Sequence, residues 1–212
     1  MSKAKLIVHS RQQAAALLLL ILAPFAFARG SAKAVTEPGS YKNWGPDIDQ
    51  IEIVKAFKVG DYDRVIVLPF DTSKTPLPDP KEKSYDSIRS VVDGYTETLS
   101  EALRDEVKGK MKVEMAPAAP KTAGTLILRG IVEDVSPGSR AKRYLVGYGA
   151  GAAGSRMSGE LVDAKTGAVL VRFTQERRSG GTWKVAGGSD VQVMRDSVHA
   201  TGQDIAHILE QF

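Results

Sequence analysis

Apolar positions along the chain fall into runs whose period changes from segment to segment. Val65-Ile66-Val67-Leu68 is a continuous β-branched and apolar run, the pattern of a buried strand, and it stops at Pro69, which cannot donate to a ladder. The stretch from Thr72 to Lys83 carries Pro76, Pro78 and Pro80 and reads as loop. Ile88, Val92, Tyr95, Leu99, Leu103 and Val107 then recur every three or four residues. That spacing predicts an amphipathic helix behind a Ser84 or Asp86 cap, stopped at Gly109. Met111 to Met115 reads as a short strand, and Thr125 to Val135 as a long one, apolar on both faces near its start. Met157, Gly159 and Leu161 alternate with polar residues, as do Val169, Val171 and Phe173 with Arg172 and Thr174. Between them Asp163-Ala164-Lys165-Thr166-Gly167 has an acidic turn opener and a glycine free to take positive φ, so the two strands pair as a hairpin. Val191, Met194, Val198, Ile205, Ile208, Leu209 and Phe212 share one face of a closing helix capped by Ser189 or Asp190. The expected fold is α+β: a mostly antiparallel sheet with two amphipathic helices on one face.

The N-terminus has a different pattern. Lys3, Lys5 and Arg11 precede an apolar run from Ala14 to Phe27, and Ala26 and Ala28 give the small-residue spacing of a cleavage site. An uncleaved anchor is the alternative, but a spanning helix needs ~20 apolar residues. This run is shorter, contains Pro24 and is followed by Arg29 and Gly30. Residues 1–28 therefore read as a signal peptide and 29–60 as a flexible tether with one short edge strand in the run Ile51 to Phe57. Residues 61–212 read as a single α+β domain. Ala32 and Ala34 form a second small-residue pair, which leaves cleavage after Ala28 or after Ala34 open.

Charge and composition matter mainly for what they exclude. The formal net charge is +4, but the leader holds three bases and no acid, so the body is close to neutral and gives no case for nucleic acid. With no cysteine, disulfides, thiolate catalysis, cysteine zinc sites and a lipid-modified N-terminal Cys are all excluded. Gly149-Ala150-Gly151-Ala152-Ala153-Gly154 spells G-x-G-x-x-G, yet a strand pattern follows it where a dinucleotide fold needs a helix N-terminus. It reads as a glycine-rich connection or a strand packed close against another backbone. His199 and His207 stand eight apart, too far for an i, i+4 metal pair, and read as surface residues. Asp61, Asp63 and Asp71 have no partner base, and Ser84, Ser87, Ser90 and Ser100 have no oxyanion motif. The expectation is a protein without catalytic residues, cofactor or metal.

The segment between Arg140 and Arg156 is long for a strand connection and rich in glycine and alanine. Arg140, Lys142, Arg143 and Arg156, extended by Arg177 and Arg178, frame Gly147, Gly149 and Gly151. The bland reading is that these arginines solvate strand ends. The functional one is a contact surface on which small residues admit another backbone and the cations attract an anionic partner. Trp44 and Trp183 are either lids on the core or part of that surface.

The order of these elements carries a resemblance. A strand running into Leu68-Pro69-Phe70, an amphipathic helix, the strand Thr125 to Val135 with its Gly130, and Leu161 to Gly167 resemble the bacterial envelope proteins related to the curli-secretion lipoprotein CsgG and the TolB N-terminal domain. Arg143 to Ala153, followed by that strand and its Asp-x-x-x-Gly turn, resembles the family called domain of unknown function 4410. The resemblance spans about Tyr62 to Phe212 and implies an exported α+β domain with no established catalytic residues. The functional expectation is a non-enzymatic envelope protein, periplasmic or otherwise exported and in one variant associated with the outer membrane. It would act as a partner-binding or self-associating accessory module, its partner an envelope protein, a cell-wall polymer or a second copy. Membrane contact would be made without a lipid-modified Cys. A membrane-inserted oligomer using the glycine-rich residues 144–153 is the first alternative. An exported hydrolase is the second. The leader predicts that protein purified from the envelope starts at Arg29 or Val35; N-terminal sequencing that returns residues before Ala14 contradicts it.

Overall fold

The computed structural model describes residues 34–138, 153–179 and 189–212. The leader at 1–28 lies outside them. Seven strands form one mixed sheet: β1 (Gly39–Trp44), β2 (Ile48–Ile53), β3 (Arg64–Val67), β4 (Lys112–Met115), β5 (Thr125–Ser136), β6 (Ala153–Asp163) and β7 (Val169–Ser179). Their spatial order is β1-β2-β7-β6-β5-β3-β4. The β5-β6-β7 meander and the β1-β2-β7 pairings are antiparallel, whereas β3 lies parallel to both β4 and β5. The parallel pair β3-β4 is joined through the helices α1 (Tyr85–Asp93) and α2 (Tyr95–Glu106), the crossover that parallel strands require. The last helix, α3 (Asp190–Gln211), starts behind Ser189, whose hydroxyl accepts from the Gln192 N–H.

The α+β expectation holds, with three departures. The helix expected over Ile88 to Val107 is two, because the chain turns at Gly94 between α1 and α2. The apolar period passes through the break unchanged, with Ile88, Val91, Val92, Tyr95, Leu99 and Leu103 all buried, so periodicity alone does not register it. Ala153 to Arg156, assigned to the glycine-rich connection, are the first turns of β6's ladder with β5 and β7. Finally, where a tether with one short edge strand was expected, residues 39–53 form a hairpin, and β2 lies inside the sheet between β1 and β7.

That hairpin is held by contacts distant in sequence. Trp44 stacks on Phe212 with ring centroids 5.9 Å apart, and Phe212 stacks on Phe57 at 4.4 Å. The Trp44 indole N–H donates to the Val35 carbonyl at 2.6 Å, and the Ala34 N–H donates to Gln211 Oε1 at 3.0 Å. The last residues of the chain therefore fix the first described ones, a link that the local mixture of Gly, Pro and charge does not announce.

The three described helices pack on one face of the sheet. Leu126, Leu128, Met157, Leu161, Val171 and Phe173 meet Tyr95, Leu99, Leu103, Met194, Val198, Ile205 and Ile208 in one core. The helices α2 and α3 approach closely at Gly202, where a Cβ would stand 2.5 Å from the Leu99 carbonyl oxygen and 2.7 Å from Ala102 Cβ. Among the described residues, the opposite face has a small apolar cluster of Ile127, Val162 and Ala164 with Leu68 and Val169 beside it.

The β6-β7 turn forms as its residues predict. Asp163 Oδ1 accepts from the Thr166 N–H and from its hydroxyl, each at 2.7 Å, and Gly167 sits at φ +74° with nothing within 4 Å of where a Cβ would be. Gly167→Val should therefore cost about 1–2 kcal/mol through backbone conformation alone, while the exposed Lys165→Ala leaves stability unchanged. Gly202→Ala should cost about 1–3 kcal/mol through overpacking. Urea melts of the three variants check both origins; equal midpoints contradict the turn and the helix crossing.

Candidate functional site

Side chains of a strand alternate between faces, so the residues that do not meet the helices line up as transverse rungs on the other side of the sheet. Arg129 on β5, Glu160 on β6, Arg172 on β7 and Glu52 on β2 are register neighbours. They are bonded in a row: Arg129 Nη2 donates to Glu160 Oε2 at 2.7 Å, Arg172 Nε to Glu160 Oε1 at 2.9 Å, and Arg172 Nη1 to Glu52 Oε2 at 3.0 Å. Two residues further along each strand comes a central rung that forms no ion pair among the described residues, Ile131, Ser158, Thr174, Gln50 and Lys42. A second charged rung follows. The bulge between Val132 and Asp134 in β5 brings Glu133 to Arg156, whose Nε donates to Glu133 Oε2 at 2.7 Å, and Arg156 Nη1 lies 3.6 Å from Glu176 Oε2. The Ser158 hydroxyl donates to Glu133 as well. A cavity of about 840 Å³ opens over the first two rungs, bounded by Leu68 and Pro69 on one side and Ser40 and Lys42 on the other.

Electrostatically this face is self-neutralised. Each exposed pair contributes only about 0–1 kcal/mol, but together they fix the positions of long side chains. Burial opposes the charge on Glu160, yet Arg129 and Arg172 outweigh it and hold the carboxyl below its ordinary value of 4.5. The Ser158 hydroxyl, followed by Arg156, does the same for Glu133. Both folded-state values lie below the unfolded ones, so this contribution is present above the ordinary carboxylate range and is lost as pH falls through the lowered values.

On the helix side, between β7, α3 and the β1-β2 turn, lies a second polar cluster. The Arg177 guanidinium bonds both carboxylate oxygens of Asp204 and approaches Asp47 Oδ1 at 3.1 Å. Gln175 Nε2 donates to Asp204 Oδ2 at 2.6 Å and to the Asp47 carbonyl at 2.8 Å, and His207 Nδ1 lies 3.1 Å from Asp47 Oδ2. Hydrogen bonding to Asp204 keeps Arg177 charged at every accessible pH, and burial pushes the Asp204 carboxyl up against the pull of Arg177 and Gln175. Oxygen and nitrogen donors of Asp47, Asp204 and His207 lie within 4.8 Å of one another, the spacing of a metal site. Arg177 bridges the two carboxylates and so ties β7 to α3 and to the β1-β2 turn.

The expected contact residues are distributed by this arrangement. Arg156 lies on β6 inside the second charged rung, paired with Glu133 and Glu176 rather than free. Arg177 and Arg178 face opposite sides of the sheet, Arg177 toward Asp204 and Arg178 toward Glu176. Arg140, Lys142, Arg143, Gly147, Gly149, Gly151 and Trp183 lie outside the described residues. Trp44 is buried in the core, His199 is exposed, and His207 is half-buried against Asp47. Sequence reading missed the rung Arg129, Glu160, Arg172 and Glu52. Each is a charged residue at an outward strand position, but only the register reveals that they form a row.

The family model described as Domain of unknown function (DUF4410) matches residues 49–181, from β2 past the end of β7. No curated protein matches the chain. Among solved structures, the PelC dodecamer from Paraburkholderia phytofirmans is similar at 18% identity, with a TM-score of 0.42, over 72% of this chain and 96% of that one. A protein of the family DUF330 from Xanthomonas campestris is similar at 13% identity, with a TM-score of 0.41, over 70% and 84% of the two chains. Lipoprotein GNA1162 from Neisseria meningitidis is similar at 15% identity, with a TM-score of 0.35, over 68% and 98%.

Breaking the buried tie should be costly and removing it whole should not. Arg177→Met alone strands the Asp204 carboxylate and should lower stability by about 3 kcal/mol, whereas Arg177→Met with Asp204→Leu should recover most of that loss. Chemical denaturation of the single and double variants checks it. A double variant no more stable than the single one would show that the ion pair is needed for more than its mutual neutralisation.

Proposed function

The chain belongs to the DUF4410 family, and on that premise we propose that it is a non-enzymatic exported module of the cell envelope that binds its partner through the bare face of its sheet. One observation carries this reading: a sheet with three helices on one side presents, on the other, an ordered surface of paired charges, hydroxyls and the exposed Ile131 beneath an 840 Å³ cavity. Ligand sites are concave surfaces where apolar area meets a few oriented polar groups. The pairing of Arg156 argues against free cationic attraction as its means of recognition; shape and local charge order take that role. The basic, apolar and small-residue zones of residues 1–28, read as an export leader, favour an envelope setting.

No helix among the described residues is long and apolar enough to cross a membrane. The membrane-inserted alternative rests on residues 144–153, outside those described. Crosslinking in the intact envelope followed by mass spectrometry tests the proposal. Ile131→Asp and Lys42→Glu, both at exposed positions on the bare face, should abolish the crosslinks of the wild-type chain while leaving the melting temperature unchanged. Crosslinks that persist in both variants place the contact elsewhere.

A further inference from the structure

The charge order of the bare face is specific enough to name an occupant. Across the central rung the sign reverses on each of three strands: Arg129 to Glu133 on β5, Glu160 to Arg156 on β6, and Arg172 to Glu176 on β7. A two-fold axis laid along the central rung Ile131–Ser158–Thr174 carries one charged rung onto the other. Over β5, β6 and β7 every arginine of the two charged rungs then faces a carboxylate of the second copy and every carboxylate faces an arginine; toward the β1 edge Glu52 has no arginine opposite and Lys42, at the end of the central rung, faces its own counterpart at the rim. Had the two rungs been in phase, the same rotation would have set arginine against arginine. Ile131, 44% exposed, lies on that axis and meets its own counterpart as an apolar anchor.

We propose that the bare face pairs with the same face of a second copy of this chain, the two sheets related by a two-fold axis along the central rung. This rests on the partner-binding reading above and supplies the partner. An isologous contact of this kind closes on itself. The sheet's edges favour the face as the route. Strand β1 is kinked at Asn43, which has φ 50°, and carries Lys42, and β4 is four residues long with Lys112 and Glu114; short, kinked and charged edges discourage strand addition. Three strands at ~4.8 Å spacing and three rungs at ~7 Å define a patch of roughly 15 by 20 Å, about 300 Å² per copy, below the ~800 Å² per partner of a standard specific interface and in the range of transient contacts. Because the ion pairs already exist within each chain, the complementarity sets orientation more than affinity. The pairing is therefore weak, reversible and sensitive to salt.

The chain contains no cysteine, so single reporters can be placed in the mature full-length protein. Ile131→Cys should crosslink to its own copy with a bis-maleimide spanning about 10 Å, the separation of stacked sheets, whereas Glu101→Cys on the outer side of α2 should not. Sedimentation velocity of the wild type should show a concentration-dependent dimer that is lost in high salt and in Ile131→Asp, with the melting temperature unchanged. A wild type that stays monomeric at every concentration, or a dimer that survives both Ile131→Asp and salt, overturns the proposal. A monomeric wild type whose envelope crosslinks to another protein disappear in Ile131→Asp overturns the second copy as occupant while leaving partner binding by the bare face intact.

Discussion

The seating of α3 on the sheet is the contact from which the rest of the fold follows. Its buried positions Met194, Val198, Ile205, Ile208 and Leu209 cover β6 and β7, Gly202 lets it approach α2 to backbone distance, and Asp204 takes the guanidinium of Arg177 from the end of β7. Phe212, at its C-cap, lies between Trp44 and Phe57 and so holds the β1-β2 hairpin in place. Burial of a large apolar side chain stabilises by about 1.5–3 kcal/mol, so this one helix carries a large share of the favourable free energy. It also explains why a segment with the composition of a linker is ordered.

With the three described helices on one side, the sheet's other side carries only a small apolar cluster among the described residues. Its outward positions carry Arg–Glu rows beside the small cluster around Ile127 and Val162, and these rows give the face a defined charge order. The one-sided core and the patterned surface are thus two results of a single constraint. The helix-side cluster of Arg177, Asp204, Gln175, Asp47 and His207 belongs to the first, and Arg156, although next in sequence space to the same glycine-rich segment, belongs to the second.

Elements whose signal is local were legible in the sequence. The period of Ile88 to Val107, the alternation in β6 and β7 and the Asp163–Gly167 turn all correspond to structure, because helix period, pleat and turn chemistry are set by near neighbours. What was hidden depends on partners far along the chain. Strand β1 has only Tyr41 and Trp44 to mark it and is ordered by Phe212; the rung from Arg129 to Glu52 exists only once β5, β6, β7 and β2 are in register. Arg156 reads from sequence as one of the cations of a contact surface because its carboxylate partners, Glu133 and Glu176, lie on two other strands.

The central claim is that the bare face is covered where the protein works. Thiol labelling in the intact envelope addresses it directly, using single cysteines at Thr174 in the central rung and at Glu101 on the exposed side of α2. The account predicts that Thr174→Cys reacts with maleimide in dilute purified protein and is protected in the envelope, while Glu101→Cys reacts equally in both. A cysteine at 174 that labels as fast in the envelope as in dilute solution would contradict it.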